Sequence, residues 1–256
     1  MALKIGIIGY GAIGQSVHRM LEQAAGTASI GILVRTPPAG TGHARVTQSL
    51  DDFLAMEHDI VVECAGQDSL KLHGHAVLEA GTSLVPASVG ALVDEPYRMS
   101  LIRAAGKRSR QIRIPSGAMT GIDGLAAARL AGLDSVLYRG TMPAHALRNF
   151  EARTPILRKT LVFQGSANEA VSRFPKNANL TGTIALAGIG FEATRVELYI
   201  DPDTEANIHE LMASGAFGEF HVRVSGHRIS ETSPSSRIVP GSLVQAALGS
   251  AFILLG

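Results

Sequence analysis

The sequence predicts a two-part α/β protein, in which a parallel sheet is followed by an α+β region with a mostly antiparallel sheet. Over about the first 115 residues, short apolar runs alternate with stretches of helical spacing, as in doubly wound sheets whose strands are buried on both faces. Beyond residue 135 the pattern becomes rich in strands, and two of them alternate apolar and polar residues. Alternation of this kind is typical of a half-buried antiparallel sheet.

A glycine-rich turn follows the first predicted strand. Ile5, Ile7 and Ile8 indicate a buried strand, and the residues after it satisfy the pattern G-x-G-x-x-G before a helix of residues 15–25. A strand, this turn and a helix together are typical of dinucleotide binding, because the N–H groups and the positive end of the helix face the pyrophosphate. The predicted contacts to NAD or NADP are Gly9, Gly11, Ala12, Ile13 and Gly14.

Two strand ends bear on the choice and placement of the cofactor. Arg35 follows the second predicted strand, where an acidic residue binds the ribose of NAD. A guanidinium suits a 2′-phosphate or stacks on adenine, so Arg35 favours NADP without excluding NAD; the alternative is an exposed loop arginine. Ala65 ends the third strand beside the expected nicotinamide ribose, where a small residue allows close approach. Glu63 on that strand is either a ribose ligand or a strand-end charge.

Composition and charge exclude several classes of protein. A net charge of +1 over 256 residues, with no basic run beyond residues 107–110, argues against nucleic-acid binding. No apolar run reaches the roughly 18 residues of a membrane helix. Cys64 is the single cysteine, which excludes an internal disulfide and predicts a reducing, cytoplasmic location. His73 and His75 lie on different faces of one helix, so no metal site is predicted.

The remaining elements follow from the same periodicities. In the first part, the predicted strands are residues 4–8, 29–34, 59–66, 83–88 and 111–115, and the predicted helices are residues 15–25, 49–56, 69–80 and 96–106. In the second part, the predicted strands are residues 135–142, 160–165, 192–201 and 218–225, and the predicted helices are residues 123–131, 167–174, 179–187 and 207–213. Residues 230–240 are a predicted connector, and residues 241–255 a predicted closing helix.

These elements predict two domains. Residues 1–116 form a Rossmann-type dinucleotide-binding domain, which the closing segment 241–256 completes, and residues 117–240 form a substrate or dimerisation domain. A small-residue turn at residues 115–125 lies at the boundary, directly before a helix. Such a turn predicts a cradle for a substrate carboxylate or for nicotinamide; the alternative is a plain interdomain turn.

Three segments, taken with the glycine turn, resemble one family along essentially the whole chain. They are S-G-A-M-T-G-I-D at 116–123, F-P-K-N-A-N at 174–179, and D-P at 201–202 followed by N-I-H-E at 207–210. Together they resemble the L-aspartate dehydrogenase family. The resemblance implies an architecture like that of dihydrodipicolinate reductases. It also implies NAD(P)-dependent, reversible deamination of L-aspartate to iminosuccinate or oxaloacetate and ammonia, with a possible place in NAD biosynthesis.

The resemblance assigns roles to three residues. Ala118 and Asn179 map onto positions that contact the cofactor, and His209 maps onto the catalytic acid/base. A histidine suits that role because its ordinary pKa lies close to neutrality. The alternative for His209 is a loop histidine that caps a helix. Thr120, in the small-residue turn, is a predicted substrate contact. Asn177, just before the motif asparagine, is predicted to orient the substrate or nicotinamide; the alternative is a loop at the start of a helix.

Two other functions remain open from the residues alone. One is a related reductase of another small carboxylic substrate, although the paired histidines and K-x-x-x-P-S-G-T of dihydrodipicolinate reductases are absent. Sugar-type oxidoreductases place Glu-Lys-Pro after the fourth strand, where this chain has Leu84, Val85 and Pro86. The other is a non-catalytic dinucleotide sensor, which needs neither Asn179 nor His209. The half-exposed sheet of the second domain predicts a homodimer.

Overall fold

The computed structural model describes residues 2–24, 27–38, 40–144, 156–175, 178–230, 233–249 and 253–255. The predicted substrate residue Asn177 lies outside the described residues. The chain divides into two compact units, Met1–Gly117 with Val239–Gly256, and Ala118–Ile238. No helix of the described segments is both long enough and apolar enough to cross a bilayer.

The first unit contains a sheet of parallel strands with intervening helices. Its parallel strands are β1 (Leu3–Ile8), β2 (Thr27–Leu33), β3 (Arg45–Thr47), β4 (Ile60–Glu63), β5 (Ser83–Pro86) and β6 (Ile112–Ile114). Its helices, apart from a 3₁₀ turn at Val89–Val93, are α1 (Ala12–Gln23), α2 (Leu50–Leu54), α3 (Gln67–Glu79) and α4 (Glu95–Lys107).

The parallel strands lie in the order β3-β2-β1-β4-β5-β6. The chain therefore reverses direction across the sheet between β1 and β4, where doubly wound folds bind their ligands. This arrangement confirms the predicted Rossmann-type fold. The sequence prediction missed β3, because its three residues, Arg45, Val46 and Thr47, form no apolar run and are positioned by pairing with β2.

The second unit is an α+β structure. In chain order its elements are α5 (Ile122–Leu130), β7 (Leu133–Pro143), β8 (Thr160–Ser166), α6 (Ala167–Arg173), α7 (Ala178–Ala187), β9 (Arg195–Asp201), β10 (Asn207–Gly215), β11 (Gly218–Gly226), β12 (Arg228–Ser230) and β13 (Ser233–Ser236). The main sheet has the order β11-β10-β7-β9-β8, and within it only the β7–β9 pair is parallel. This confirms the predicted mostly antiparallel sheet.

The predicted helix at residues 207–213 is wrong, because this segment is strand β10. Asn207–Gly215 pairs with β11 along its whole length and with β7 on its other edge. Glu210, Leu211, Met212 and Ala213 favour a helix in isolation, but pairing on both edges decides the conformation here. His209 is therefore a residue of a central strand and not of a helix or a loop.

The C-terminal segment also differs from the prediction. The predicted connector overlaps the β12–β13 hairpin, since it contains β13 and the last residue of β12. The closing helix α8 (Ile238–Ala247) ends well before residue 255. Residues Ile253–Leu255 form β14, which pairs antiparallel with β6 at the edge of the first sheet. Buried side chains of α8, among them Leu243 and Val244, pack with Ile5 and Val17 in the core of the first unit.

Candidate active site

The turn after β1 needs glycine at two positions. Gly9 has a φ of +92°, and a Cβ there would lie 2.7 Å from the Cβ and 2.8 Å from the Cα of Ala65. A Cβ on Gly14 would overlap the carbonyl oxygen of Gly9. These contacts place the turn against the end of β4 and the first turn of α1 against the glycine loop.

Gly11 differs from Gly9 and Gly14, because among the described residues no heavy atom beyond its own chain neighbours lies within 4 Å of the position of its Cβ. The protein's own packing therefore does not require glycine here, whereas a group that approaches the backbone would. Gly11 caps α1 without a side-chain hydrogen bond, and the first turn of α1 has no acidic residue. The amide groups of Ala12, Ile13 and Gly14 and the positive end of the helix thus suit a pyrophosphate.

A cleft of about 870 Å³ lies above these strand ends. It brings together four predicted residues from three strand ends, namely Gly9, Gly11, Arg35 and Ala65. Arg35 is exposed, and its carbonyl oxygen accepts a hydrogen bond of 2.6 Å from Nε2 of Gln48. The cleft has the size and strand-end position of a dinucleotide site.

Glu63 lies beneath this cleft as a structural residue. It is 1% exposed, and its oxygens accept hydrogen bonds from the amides of Ala65 (2.7 Å), Gly66 (2.8 Å) and Ser88 (3.2 Å) and from the Ser88 hydroxyl (3.1 Å). Burial raises the pKa of Glu63, and these hydrogen bonds oppose the shift. The carboxylate therefore joins the ends of β4 and β5, and the alternative role of ribose ligand does not fit its burial.

Tyr10 of the glycine turn is held by a histidine of α1. Its hydroxyl lies 2.8 Å from Nδ1 of His18, and His18 is 3% exposed. Nε2 of His18 lies 3.6 Å from a carboxylate oxygen of Glu22. The side-chain amide of Gln15 also donates to the Tyr10 carbonyl oxygen at 3.1 Å. Both contacts fix the loop that lies over the helix N-terminus.

In the second unit, His209 is paired with Gly140 of β7 and Val224 of β11. Its Nδ1 lies 2.9 Å from the hydroxyl of Tyr138, and the two rings stack at 6.1 Å with an angle of 25° between their planes. Removal of the ring from water lowers the pKa of His209 to about 4. His209 is therefore neutral at physiological pH and only half-buried, so it is able to accept a proton.

The small-residue turn before α5 lies over the same sheet face as His209. Gly121 has a φ of +76°, and a Cβ there would lie 3.0 Å from Cγ2 of Val222. Val222 and Val224 share a face of β11 with the cross-strand partner His209. In this turn Ala118 is buried and Thr120 is exposed. Two predicted segments far apart in sequence thus meet on one sheet face.

Asn179 occupies the first turn of α7 and is exposed, whereas eight other residues of this ten-residue helix are buried. An exposed amide at the start of a buried helix is consistent with the predicted role as a contact to the cofactor.

A second cleft, of about 800 Å³, was not predicted from the sequence. Its lining includes Glu205, His227, Arg228 and Arg237, from the β9–β10 connection and the hairpin region, but not His209. Arginines are frequent in this chain, so no sequence signal distinguishes these two. Among the described residues, no group of three or more His, Cys, Asp or Glu side chains is arranged to hold a metal ion.

Comparison with known proteins agrees with both units. Residues 123–250 match the family model described as aspartate dehydrogenase, C-terminal, and residues 9–115 match the NAD binding domain of homoserine dehydrogenase. L-aspartate dehydrogenase 1 of Bordetella pertussis is 56% identical over 99% of this chain and 98% of that protein. L-aspartate dehydrogenase of Ralstonia pickettii is 37% identical over 95% and 96%.

Two solved structures share the fold. Aspartate dehydrogenase from Thermotoga maritima has a TM-score of 0.75 at 24% identity and covers 97% of this chain and 94% of its own. Dihydrodipicolinate reductase from Paenisporosarcina sp. TG-14 has a TM-score of 0.57 at 11% identity and covers 98% and 93%. The likeness to a dihydrodipicolinate reductase confirms the predicted architecture.

The parallel sheet, the glycine turn and the matched NAD-binding model define an NAD(P)-dependent dehydrogenase of amino-acid type. The full-length identity and the matched C-terminal model then specify the family. The chain belongs to the L-aspartate dehydrogenase family.

Proposed function

We propose that this protein oxidises L-aspartate with NAD⁺ or NADP⁺ to iminosuccinate, which water converts to oxaloacetate and ammonium, and that it also catalyses the reverse reaction. The observation that carries this proposal is the 56% identity to a protein named L-aspartate dehydrogenase 1 over 99% of the chain. The matched region covers 99% of this chain and 98% of that protein.

The cofactor contacts follow from the strand ends of the first unit. Gly9, Gly11 and the amides of residues 12–14 would bind the pyrophosphate, with Ala65 near the nicotinamide ribose and Arg35 near the adenine ribose. The family resemblance assigns further cofactor contacts to Ala118 and Asn179. The nicotinamide ring supplies one piece of chemistry, which is to accept the hydride that leaves Cα of the substrate.

His209 moves the protons of the reaction. Loss of hydride from Cα leaves a protonated imine, and hydrolysis of that imine requires a water molecule to lose a proton as it attacks carbon. A neutral imidazole accepts this proton and returns it when ammonium leaves. Because burial lowers its pKa to about 4, His209 is in the accepting state at the neutral and alkaline pH at which amine oxidation is favoured.

The two substrate carboxylates need cationic or hydrogen-bonding partners. Thr120 is exposed in the turn before α5, and Asn177 is a candidate because it comes just before Asn179 in the sequence. Arg228 and Arg237 of the second cleft are further candidates, because a guanidinium binds a carboxylate through two parallel hydrogen bonds.

An assay of cofactor reduction tests this function. Purified protein is incubated with NAD⁺ or NADP⁺ and with L-aspartate, D-aspartate, L-glutamate or L-homoserine, and absorbance at the NAD(P)H band is followed. We expect reduction with L-aspartate alone, with oxaloacetate and ammonium formed in equal amounts. Thermal stabilisation by cofactor but not by any dicarboxylate, together with no reduction, would instead identify a dinucleotide sensor.

Three broader properties belong to the same proposal. The homodimer is supported by the exposed edge strand β11, whose side chains alternate between exposed and half-buried, and light scattering would measure it. The free thiol of Cys64 supports a reducing, cytoplasmic location. A role in NAD biosynthesis follows if iminosuccinate is the released product, which trapping of the imine before hydrolysis would show.

A further inference from the structure

Tyr138 and His209 are diagonal neighbours on one face of the second sheet. In the antiparallel pairing of β7 with β10, His209 lies opposite Gly140 and Tyr138 lies opposite Leu211. Diagonal positions are within reach of aromatic side chains, and the Tyr138 hydroxyl lies 2.9 Å from Nδ1 of His209. The pair comes from residues 71 positions apart in the sequence, so strand register creates it.

Gly140 provides the space that this contact needs. A Cβ at residue 140 would lie 3.0 Å from the Tyr138 hydroxyl oxygen and 3.1 Å from Cδ2 of Leu198. Both distances are tighter than most contacts of a Cβ, so a larger residue would press the hydroxyl and Leu198 aside by a few tenths of an ångström. The φ of Gly140 is not positive, and the backbone therefore does not itself require glycine here. Glycine at this position instead leaves room for the phenol of Tyr138.

The Tyr138 hydroxyl is buried and hydrogen-bonded to His209. Tyr138 is 4% exposed, and among the described residues its hydroxyl has the imidazole of His209 as its hydrogen-bond partner. Burial raises the pKa of the Tyr138 phenol, so the phenol keeps its own proton and does not titrate with the histidine. A hydroxyl both donates and accepts hydrogen bonds. The Tyr138 hydroxyl is therefore able to stay hydrogen-bonded to Nδ1 of His209 whether or not Nδ1 carries a proton.

We propose that Tyr138 is the positioning residue of His209: its hydrogen bond occupies Nδ1, fixes the ring on the sheet and leaves Nε2 as the nitrogen that exchanges protons with substrate or water. This inference rests on the proposed function. During exchange at Nε2 the ring keeps its other proton on Nδ1, and the Tyr138 oxygen accepts that hydrogen bond. No proton passes to Tyr138, and the proton balance of the reaction stays with His209.

Tyr138→Phe removes the hydroxyl and keeps the ring in place. Tyr199→Phe is the matched control, because Tyr199 lies on the neighbouring strand β9 and donates to Glu197 at 3.3 Å instead. We expect Tyr138→Phe to lower kcat by roughly 10- to 100-fold, by analogy with the range found when the outer hydrogen-bond partner of a metal-ligating histidine is removed. KM for L-aspartate and Kd for NAD(P)H should change less than about twofold, and the control should match wild type.

A spectroscopic readout separates positioning from mere structural support. In protein with ¹⁵N-labelled histidine, Tyr138→Phe should shift the ring-nitrogen signals of His209, and Tyr199→Phe should leave them unchanged. Gly140→Ala keeps the phenol but displaces its oxygen, so it should lower kcat in the same direction. The double variant Tyr138→Phe with Gly140→Ala should be no slower than Tyr138→Phe alone, because both changes act on the same hydrogen bond.

The proposal is overturned if Tyr138→Phe keeps wild-type kcat, or if the His209 ring-nitrogen signals are the same with and without the hydroxyl. The proposed function fails separately, if wild-type protein does not oxidise L-aspartate with either cofactor. The nitrogen signals still report on the Tyr138–His209 contact in that event, since they require no turnover. If Tyr138→Phe lowers the melting temperature, Gly140→Ala still tests the contact, because this variant retains the Tyr138 phenol.

Discussion

Each unit contains a tyrosine hydroxyl that is hydrogen-bonded to Nδ1 of a histidine. The two pairs differ in which of the two side chains is the buried one. The oxygen–nitrogen distances are 2.8 Å for Tyr10–His18 and 2.9 Å for Tyr138–His209. In the first pair the histidine is 3% exposed and the tyrosine is half-buried; in the second the tyrosine is 4% exposed and the histidine is half-buried.

The difference shows which partner supports the other. His18 is anchored in α1 and holds Tyr10 of the glycine turn, so the first pair stabilises a backbone loop over the cofactor cleft. Tyr138 is buried on strand β7 of the second sheet and holds the Nδ1 side of His209, whose other nitrogen is the one proposed to exchange protons. Under the proposed function, the same kind of hydrogen bond would serve cofactor binding in one unit and proton transfer in the other.

The largest effect is expected at the glycine turn of the first unit. Gly14→Ala places a methyl group on the carbonyl oxygen of Gly9, a backbone atom that cannot move aside. We expect loss of cofactor binding and destabilisation of about 3 kcal/mol or more, in the upper part of the range for single substitutions. Denaturant unfolding and NAD(P)H fluorescence measure the two effects.

Gly11→Ala is the control for that change, because among the described residues its new methyl group meets no heavy atom beyond its own chain neighbours within 4 Å. Stability should then stay within about 0.5 kcal/mol of wild type, while cofactor affinity falls. Equal destabilisation by the two variants would contradict the view that Gly14 is needed for packing and Gly11 for the ligand.

Acid should destabilise the protein through a third histidine, His58, which has no comparable partner. Its ring packs against Gly6, Gly31 and Phe53, and neither ring nitrogen has a hydrogen bond among the described residues. Burial lowers the pKa of His58 to about 4. The unfolded chain therefore binds more protons between pH 6.5 and 4, and stability should fall by up to about 3 kcal/mol as pH drops through this window.

Denaturant unfolding from pH 7 to 4 measures that loss, and His58→Leu should reduce it. His209 titrates in the same window, because its pKa is also lowered to about 4. His209→Ala should therefore remove its own share of the pH dependence and leave that of His58 intact. A His58→Leu variant with the full acid sensitivity of wild type would show that His58 is not the source.

These outcomes bear on how much the sequence alone predicts. The glycine turn was predictable because strand, turn and helix are contiguous, and their spacing reports local geometry directly. The contact of Tyr138 with His209 was not predictable, since only the register of β7 with β10 brings the two residues together. Helix-favouring residues even predicted the wrong conformation for residues 207–213, which pairing on two edges then determined. Glu63 stayed ambiguous until its four hydrogen bonds and burial assigned it to the turn.

Replacement of His18 should separate the two pairs functionally. His18→Leu leaves the Tyr10 hydroxyl without its partner, so we expect Kd for NAD(P)H to rise by roughly three- to tenfold, equivalent to the net worth of about one hydrogen bond. Turnover at saturating cofactor should stay near wild type, in contrast to Tyr138→Phe. Steady-state kinetics with varied cofactor distinguish the two, and a fall in kcat for His18→Leu at saturation would contradict the division of roles.

A further effect concerns the choice of cofactor. Arg35 is exposed at the edge of the cleft, where a guanidinium pairs with a 2′-phosphate and a carboxylate pairs with a ribose hydroxyl. Arg35→Asp should lower kcat/KM for NADP⁺ relative to NAD⁺ by about tenfold, with little effect on kcat. Titration of both cofactors against both proteins measures the ratio, and an unchanged ratio would show that Arg35 does not contact the ribose.

The central claim is that the first unit binds the cofactor while His209 of the second moves the protons. Its most direct test compares wild type with His209→Ala in one experiment, with NAD(P)H affinity measured by fluorescence and L-aspartate oxidation measured by absorbance. The account predicts unchanged cofactor Kd and a loss of kcat of about 10²- to 10⁴-fold. Full turnover by His209→Ala, with the cofactor bound as in wild type, would contradict it.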